Sequence, residues 1–386
     1  MQPKNIYRIV LTGGPCGGKS SGLSFLREKI EEIENHVVFV IPEMATLCIN
    51  AGVMPGKNSI SGDMLQNAIL NISLSIENNI LEIAKNLPAD QKIVVIYDRG
   101  IPDGSAYMEK EDYLSLLQTR ELNPVSASHA RYDAVIHMVT AAEGAEDFYT
   151  LANNSARHET PQQARDLDKR TQQAWVGHPH MRVVDNSTDF QEKLHRVYQE
   201  VCAVIGVPIP VERERKFLVK FNPMNIPKEA VSIDIEQIYL TTGSDKAEIR
   251  IRKRGHDGFY TYFMTEKRDH GPGQRLEVER IIGESEFELM SSMIKPDTCP
   301  VNKTRHCMLW ANQYLELDVF KNSNTSTDPS VEIGMLEIEL TNLEHELQIP
   351  DWIEIIQEVT EDKEYTNAVI AERIFHKKPA LSWLIN

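Results

Sequence analysis

The octapeptide Gly13-Gly14-Pro15-Cys16-Gly17-Gly18-Lys19-Ser20 narrows what the chain can fold into more than any other stretch. It matches the spacing G-x-x-x-x-G-K-[S/T]. A short apolar run from Ile6 to Thr12 precedes it, and a helical pattern from about Ser20 to Ile33 follows. Strand, glycine-rich turn and helix together are the context the motif requires. The glycines let backbone N–H groups curl round phosphate oxygens, Lys19 reaches the β and γ phosphates, and the Ser20 hydroxyl ligates Mg²⁺. All eight residues are therefore nucleotide-binding candidates.

The rest of the first half extends this pattern. A second strand, His36 to Ile41, ends at Pro42-Glu43, where a carboxylate is placed either to act as a base on a hydroxyl or simply to neighbour a helix N-cap. After an amphipathic segment from Asp63 to Asn86, Ile93 to Asp98 reads as a buried parallel strand with an acid at its C-terminal end. Asp98 is expected in the Mg²⁺ shell, or as a structural residue of the Asp98-Arg99-Gly100 turn. Further strands are read at Tyr132 to Val139 and Met181 to Val184. Between them lie Arg157 and a helix carrying Arg165, Lys169 and Arg170, readable as a lid over phosphates or as a solvated helix face. Strands alternating with helices predict a parallel sheet covered on both faces.

At 386 residues the chain has room for two domains, and 41% hydrophobic with 25% charged residues is a globular composition. The break Gly206-Val207-Pro208-Ile209-Pro210 divides a helical from a strand-like pattern, so the expected domains are 1–206 and 207–386. There is no long apolar run for a membrane span and no charged-then-apolar leader. Five cysteines without a CxxC pair point to reduced thiols and a cytoplasmic setting. A formal net charge of −16 disfavours nucleic acid as a general partner.

The second half is strand-like and carries its charge in same-sign pairs at i,i+2. Glu212, Glu214 and Lys216 share one face; so do Arg250, Arg252 and Arg254; then Thr265 with Lys267, Arg275 with Glu277 and Glu279, Lys303 with Arg305, Glu316 with Asp318, and Glu337 with Glu339. One explanation is an antiparallel sheet with its charges in water. Solvated faces are usually mixed, however, and like charges ~4 Å apart repel by about 4 kcal/mol at an effective dielectric near 20. A closed barrel removes the conflict if its lumen holds Mg²⁺ or Mn²⁺ on the acidic wall and polyphosphate on the basic wall.

These residues carry two resemblances. The glycine loop, Pro42-Glu43, Asp98-Arg99-Gly100, the arginine-bearing helix and His180 to Asn186 resemble the AAA-type ATPase/kinase domain related to nicotinamide riboside kinases, over about residues 5–205. That resemblance implies ATP as a ligand and phosphoryl transfer with Glu43 as base. From about residue 210 to 375 the chain resembles the CYTH, or triphosphate tunnel metalloenzyme, superfamily, whose ExExK motif is matched by Glu212, Glu214 and Lys216. This implies an eight-stranded antiparallel tunnel. Lys216, Arg250, Arg252, Lys267, Lys303 and Arg305 would hold phosphates, with Lys363 as a cap. Glu212, Glu214, Glu277, Glu279, Glu316, Asp318, Glu337 and Glu339 would serve as the acidic, metal-binding set. The order of the halves resembles the plant triphosphate tunnel proteins with an N-terminal kinase-like domain.

The expected architecture is thus an α/β P-loop domain followed by an α+β antiparallel tunnel. The expected activity is metal-dependent hydrolysis of tripolyphosphate, a nucleoside triphosphate or pyrophosphate. A small-molecule kinase with a regulatory tunnel is the alternative, and a sensing module without turnover is the third reading.

Overall fold

The computed structural model describes residues 6–149, 160–207, 214–241, 247–271, 274–321, 330–342 and 346–381. Within these, the side chains of 148, 247, 268–271 and 274–278 are left aside. The chain divides into two compact units, Lys4–Pro210 and Val211–Asn386.

In the first unit, β1 (Ile6–Thr12), β2 (His36–Ile41), β3 (Lys92–Asp98), β4 (Ala134–Met138) and β5 (Met181–Val184) form a parallel sheet in the order β2-β3-β1-β4-β5. Its helices are α1 (Lys19–Glu31), α2 (Met44–Asn50), α3 (Gly62–Lys85), α4 (Lys110–Gln118), α5 (Pro124–Ala127), α6 (Pro161–Gln173) and α7 (Phe190–Ile205). The central strands are apolar on both sides because both faces are covered. Ile9, Leu11, Val94, Ile96 and Ile136 pack with Leu26 and Ile30 of α1 and Val197 and Val201 of α7. On the opposite face Tyr97, Tyr132 and Trp175 stack edge to face, with centroids 5.2 and 5.5 Å apart. Glu77 of α3 is buried under them and accepts from Tyr132 Oη (2.8 Å) and Arg131 Nη1 (2.6 Å).

Local signals set the helix ends. Thr160 and Gln163 form a reciprocal capping box with Pro161 at the first helical position of α6, and Asp189 caps α7, whose C-cap is Gly206 at φ 70°. Strand order reverses at β1, which opens a crevice beyond the C-terminal ends of β1, β3 and β4. The glycine loop leaves β1 at that point.

The second unit is one antiparallel sheet of nine strands among the described residues, where the family resemblance implies eight. The strands are β6 (Glu214–Phe221), β7 (Val231–Leu240), β8 (Ala247–His256), β9 (Phe259–Gly271), β10 (Gln274–Ile282), β11 (Val301–Trp310), β12 (Gln313–Phe320), β13 (Glu332–Glu339) and β14 (Ile353–Glu358). They lie in the order β10-β9-β8-β7-β11-β12-β13-β6-β14, with α8 (Glu284–Ser291) and α9 (Asn367–Phe375) packed on them. The additional flank is β14, which pairs with β6 across a register shift between Ile355 and Gln357.

Alternation sorts the side chains of this sheet cleanly. One face is apolar: Phe217, Val219, Leu315, Leu317, Leu336 and Ile338 form a core there. The other carries the paired charges, yet they are not solvated. Arg254 is 1%, Lys303 3%, Glu316 4% and Asp318 0% exposed. A sheet curled round its own charged face produces such burial. Further along the same face the row turns apolar. There Leu218, Val301, Phe320 and Met335 receive Ile370 and Ala371 of α9, and Cys299 N–H bonds the Ala371 carbonyl (3.1 Å). Leu336 is fully buried on the apolar face, so Leu336→Ala is expected to cost about 2–5 kcal/mol, read as a lowered denaturation midpoint of this unit.

Candidate functional site

The glycine loop is shaped by close approach. A Cβ on Gly13 would collide with the Met138 carbonyl, and one on Gly17 would lie 2.5 Å from the same oxygen. Gly13 and Gly18 have φ of 145° and 91°, which glycine adopts without strain. Lys19 is buried and folds back on the loop, donating to the carbonyls of Gly13 (2.8 Å) and Gly14 (2.9 Å). Ser20 is exposed in the first turn of α1.

Sequence reasoning did not single out Asp168, which anchors this loop. Fully buried on α6, its Oδ1 accepts from Gly14 N–H (2.6 Å) and Thr140 N–H (3.2 Å) and meets His137 Nε2 at 3.1 Å, while Oδ2 accepts from Gln172 (3.0 Å). Burial opposes its ionisation, but His137 and these donors hold its carboxyl below the usual range. The signal was present as an acid on the buried stripe of an amphipathic helix. Through Asp168, α6 is tied to the glycine loop. Arg165 donates to the Ala142 carbonyl (2.6 Å), and Lys169 and Arg170 are exposed. Arg157 lies outside the described residues.

A cavity of 580 Å³ extends from Lys19 and Ser20 past Glu43, Asp98 and Arg99 to Tyr107. Glu43 accepts from Arg99 Nε (2.7 Å) and Thr46 Oγ1 (2.6 Å). Burial works against its charge, yet Arg99, Thr46 and Lys19 outweigh it and hold the carboxyl down at about 2. Of the two sequence readings of Glu43, base or neighbour of a helix N-cap, its position as the N-cap residue of α2 matches the second, and Arg99 pairs its carboxylate. Burial lifts Asp98 to about 6, with Lys19 and Arg99 opposing and Glu43 and Asp103 adding to the rise. Arg99 holds a left-handed φ of 72°, backbone strain at the head of the cavity. Its position is fixed by Glu43 and by Asp103, which also accepts from Thr12 Oγ1 and Gly100 N–H (2.8 Å).

In the second unit the charged face gathers most of the expected residues. Arg305 donates to Glu316, to both oxygens of Asp318 (2.6 and 2.7 Å) and to Glu337 (2.5 Å). Lys303 also donates to Asp318 (2.5 Å). Lys216 bridges Glu214 (2.6 Å) and Glu337 (3.3 Å). Across β8 to β10, Arg252 meets Glu279 (3.0 Å), which also accepts from Thr265 (2.9 Å). Arg250 precedes Arg252 on the same face of β8, opposite Tyr239 of β7 and Thr265 of β9, and Glu339 stands opposite Glu214. Backbone register places Glu277 opposite Lys267, which is half-buried. The side chain of Glu277, and Glu212 altogether, lie outside what is described. Lys363 is exposed on the turn Lys363–Tyr365 before α9 and is not part of this cluster.

The environment separates the acids. Burial disfavours the Glu337 charge, but Arg305, Lys216 and Lys303 hold its carboxyl well below the ordinary range. Burial and the neighbouring Glu337 push Glu214 up, against Lys216. Burial lowers Lys303, with Asp318 opposing. Among the described residues no three His, Cys, Asp or Glu already converge as a metal nest. The donor set nonetheless suits a hard divalent cation: Glu214, Glu316 and Glu337 offer carboxylate oxygens, and the buried Glu316 Oε1 has no hydrogen-bond partner. Asp318 differs from these in having no exposed surface and in holding Lys303 together with two N–H groups of Arg305, three charge-assisted bonds on its two oxygens.

The fold and these two clusters define a P-loop unit joined to a tunnel-type antiparallel unit with a phosphate- and metal-suited interior. A family described as an AAA domain matches residues 8–193. An inorganic triphosphatase of Nitrosomonas europaea is 35% identical over 161 residues, which are 42% of this chain and 96% of that protein. The chain belongs to the family of that triphosphatase, through its C-terminal half. A crystal structure of an inorganic triphosphatase aligns at 31% identity and TM-score 0.32 over 42% of this chain and 96% of that one. A thymidylate kinase from Candida albicans aligns at 15% identity and TM-score 0.39 over 54% and 96%. Among the described residues no helix is long and apolar enough to cross a membrane.

The Glu43–Arg99 pair carries a pH signature. Because the folded-state pKa of Glu43 lies below its ordinary 4.5, the stabilisation is fully present above about pH 4.5 and is lost as pH falls through about 2. Glu43→Gln is expected to lower stability at neutral pH by on the order of 2 kcal/mol. The gap to wild type should close across that acid window in denaturation curves.

Proposed function

We propose that the second unit is a divalent-metal-dependent hydrolase of short phosphoanhydrides, with tripolyphosphate, a nucleoside triphosphate or pyrophosphate as substrate. The first unit binds ATP at Gly13–Ser20. The observation that carries this reading is the buried face on which Lys216, Lys303 and Arg305 are interleaved with Glu214, Glu316, Asp318 and Glu337. Such a face is ready to exchange internal ion pairs for a phosphate chain and its metal. The name of the Nitrosomonas relative agrees with it. Five cysteines with no disulfide among them fit a reducing, cytoplasmic setting.

In this reading each charged residue has a role. Arg250, Arg252, Lys267 and Lys216 bind and orient phosphoryl oxygens and neutralise charge that builds as the anhydride bond breaks. Glu214, Glu316 and Glu337, with Glu212, Glu277, Glu279 and Glu339 adding acidic groups, would hold Mg²⁺ or Mn²⁺. A bound ion there supplies Lewis-acid polarisation and a more acidic water. Asp318 acts differently: it holds Lys303 and Arg305 in place for phosphate. Lys363, exposed on the turn before α9, stays a candidate cap only as the family resemblance implies.

A second reading is favoured by the cavity beside Lys19, whose size suits a small hydroxyl compound accepting a phosphoryl group. In that reading Asp98, lifted to about 6, takes the acceptor's proton and Glu43 positions Arg99. It requires ADP release that depends on an added hydroxyl acceptor and vanishes in Lys19→Ala.

Phosphate release from tripolyphosphate by the full chain tests the main reading. Lys216→Ala is expected to lower kcat roughly 10²–10³-fold with the fold intact, whereas Lys19→Ala leaves release unchanged. Unchanged release by Lys216→Ala would place the chemistry elsewhere. Asp318→Asn is expected to raise KM for tripolyphosphate about 10-fold without altering the metal concentration needed, while Glu337→Gln raises that concentration. A metal requirement altered equally by both would make Asp318 a ligand.

A further inference from the structure

The loop from Asp185 to Asp189 and the first residue of α7 form a built surface beside the glycine loop, and the roles assigned above leave it without a ligand. Phe190 is 45% exposed, although the rest of the apolar stripe of α7 is buried. Its ring lies against the end of the glycine loop: a Cβ on Gly18 would come within 2.6 Å of Cε2 and 3.0 Å of Cζ.

The loop that leads into Phe190 is held by an extended set of hydrogen bonds. Asp185 accepts from Ser187 Oγ (2.7 Å) and Arg196 Nη2 (2.7 Å). Asn186 donates to the carbonyls of Thr140 (2.8 Å) and Glu143 (2.7 Å), and its Oδ1 accepts from the buried Lys193 (2.6 Å). Asp189 caps α7 through Glu192 N–H (2.9 Å). The segment from Thr140 is in turn tied to the glycine loop, by Thr140 Oγ1 to the Pro15 carbonyl (2.5 Å) and by Ala141 N–H to the Cys16 carbonyl (3.2 Å). The backbone that carries the ring is therefore tied to the phosphate cradle.

We propose that Phe190 is the platform on which the P-loop unit stacks the base of a nucleoside triphosphate. It makes this unit selective for a nucleotide over a bare phosphate chain. The inference rests on the reading that Gly13–Ser20 binds a phosphate chain. An exposed aromatic face next to a phosphate site suits a nucleobase because every base has a π face, and a ring without polar atoms accepts purines and pyrimidines alike. Only a ligand that carries a base gains from the ring; inorganic tripolyphosphate does not.

The test measures binding of ATP and of inorganic tripolyphosphate, each with Mg²⁺, to the full chain by calorimetry. Lys19→Ala defines the part that belongs to the glycine loop. Phe190→Ala is expected to weaken Lys19-dependent ATP binding about 5- to 100-fold and to leave Lys19-dependent tripolyphosphate binding unchanged. Phe190→Trp retains ATP binding, and its indole fluorescence responds to ATP but not to tripolyphosphate. Equal ATP affinity in Phe190→Ala and wild type overturns the platform while leaving the glycine loop as an ATP site. So does an equal loss for both ligands, which would make the ring a support for the loop. Absence of any Lys19-dependent ATP binding in wild type overturns the underlying reading, and the platform with it.

Discussion

The second unit depends on one buried carboxylate. Asp318, with no exposed surface, takes Lys303 on one oxygen and spans the Arg305 guanidinium with both. Removing one partner from a buried charge cluster leaves the others unpaired, at about 3–5 kcal/mol, and a hydrophobic core would be cheaper to build. The cluster is also unbalanced. Lys216, Lys303 and Arg305 face Glu214, Glu316, Asp318 and Glu337, three cations against four carboxylates. Burial raises Glu214, Glu337 adds to the rise and Lys216 opposes it. On the proposed reading, such a face takes up a cation together with an anion.

On the proposed reading the two units bind phosphate with different materials. In the first, backbone geometry does it, since Gly13, Gly17 and Gly18 bring N–H groups where a Cβ would not fit, and Asp168 fixes the loop from behind. In the second, long side chains on alternate positions of curled strands do it. Backbone donors are rigid and specific in angle. Arginines and lysines reach, and they can exchange one partner for another.

Much of this was legible in the sequence because it rests on short-range periodicity. The glycine motif, the strand Met181–Val184 and the long helix near Asp63–Asn86 appear close to where local pattern places them. The charged face of β8, β11, β12 and β13 follows from strict alternation, and its burial from the same-sign pairing. What was not legible arises between distant elements. Asp168 meets Gly14 across 154 residues, and Arg131 meets Glu77 across 54. Neither pair leaves a local trace, because a buried acid on a helix looks like any acid until its partners are known. Glu43 shows the same limit: its place at a strand end could be read, but its depressed basicity depends on Arg99. β14 and α9, with weaker alternation and a short apolar stripe, did not announce themselves.

The position of β6 has a consequence for how the chain comes to be folded. This first strand of the second unit lies between β13 and β14, so its ladders are made with segments at the far end of the unit. During synthesis β6 emerges long before either neighbour exists, with its Phe217, Val219 and Phe221 uncovered. Pairings of such long sequence separation close slowly. The first unit, whose sheet is completed by β5, can mature while the second is still waiting for its last strands. The nascent chain thus spends a prolonged interval with one finished body and one open sheet edge, the stage at which chaperone contact or mispairing between neighbouring chains is decided.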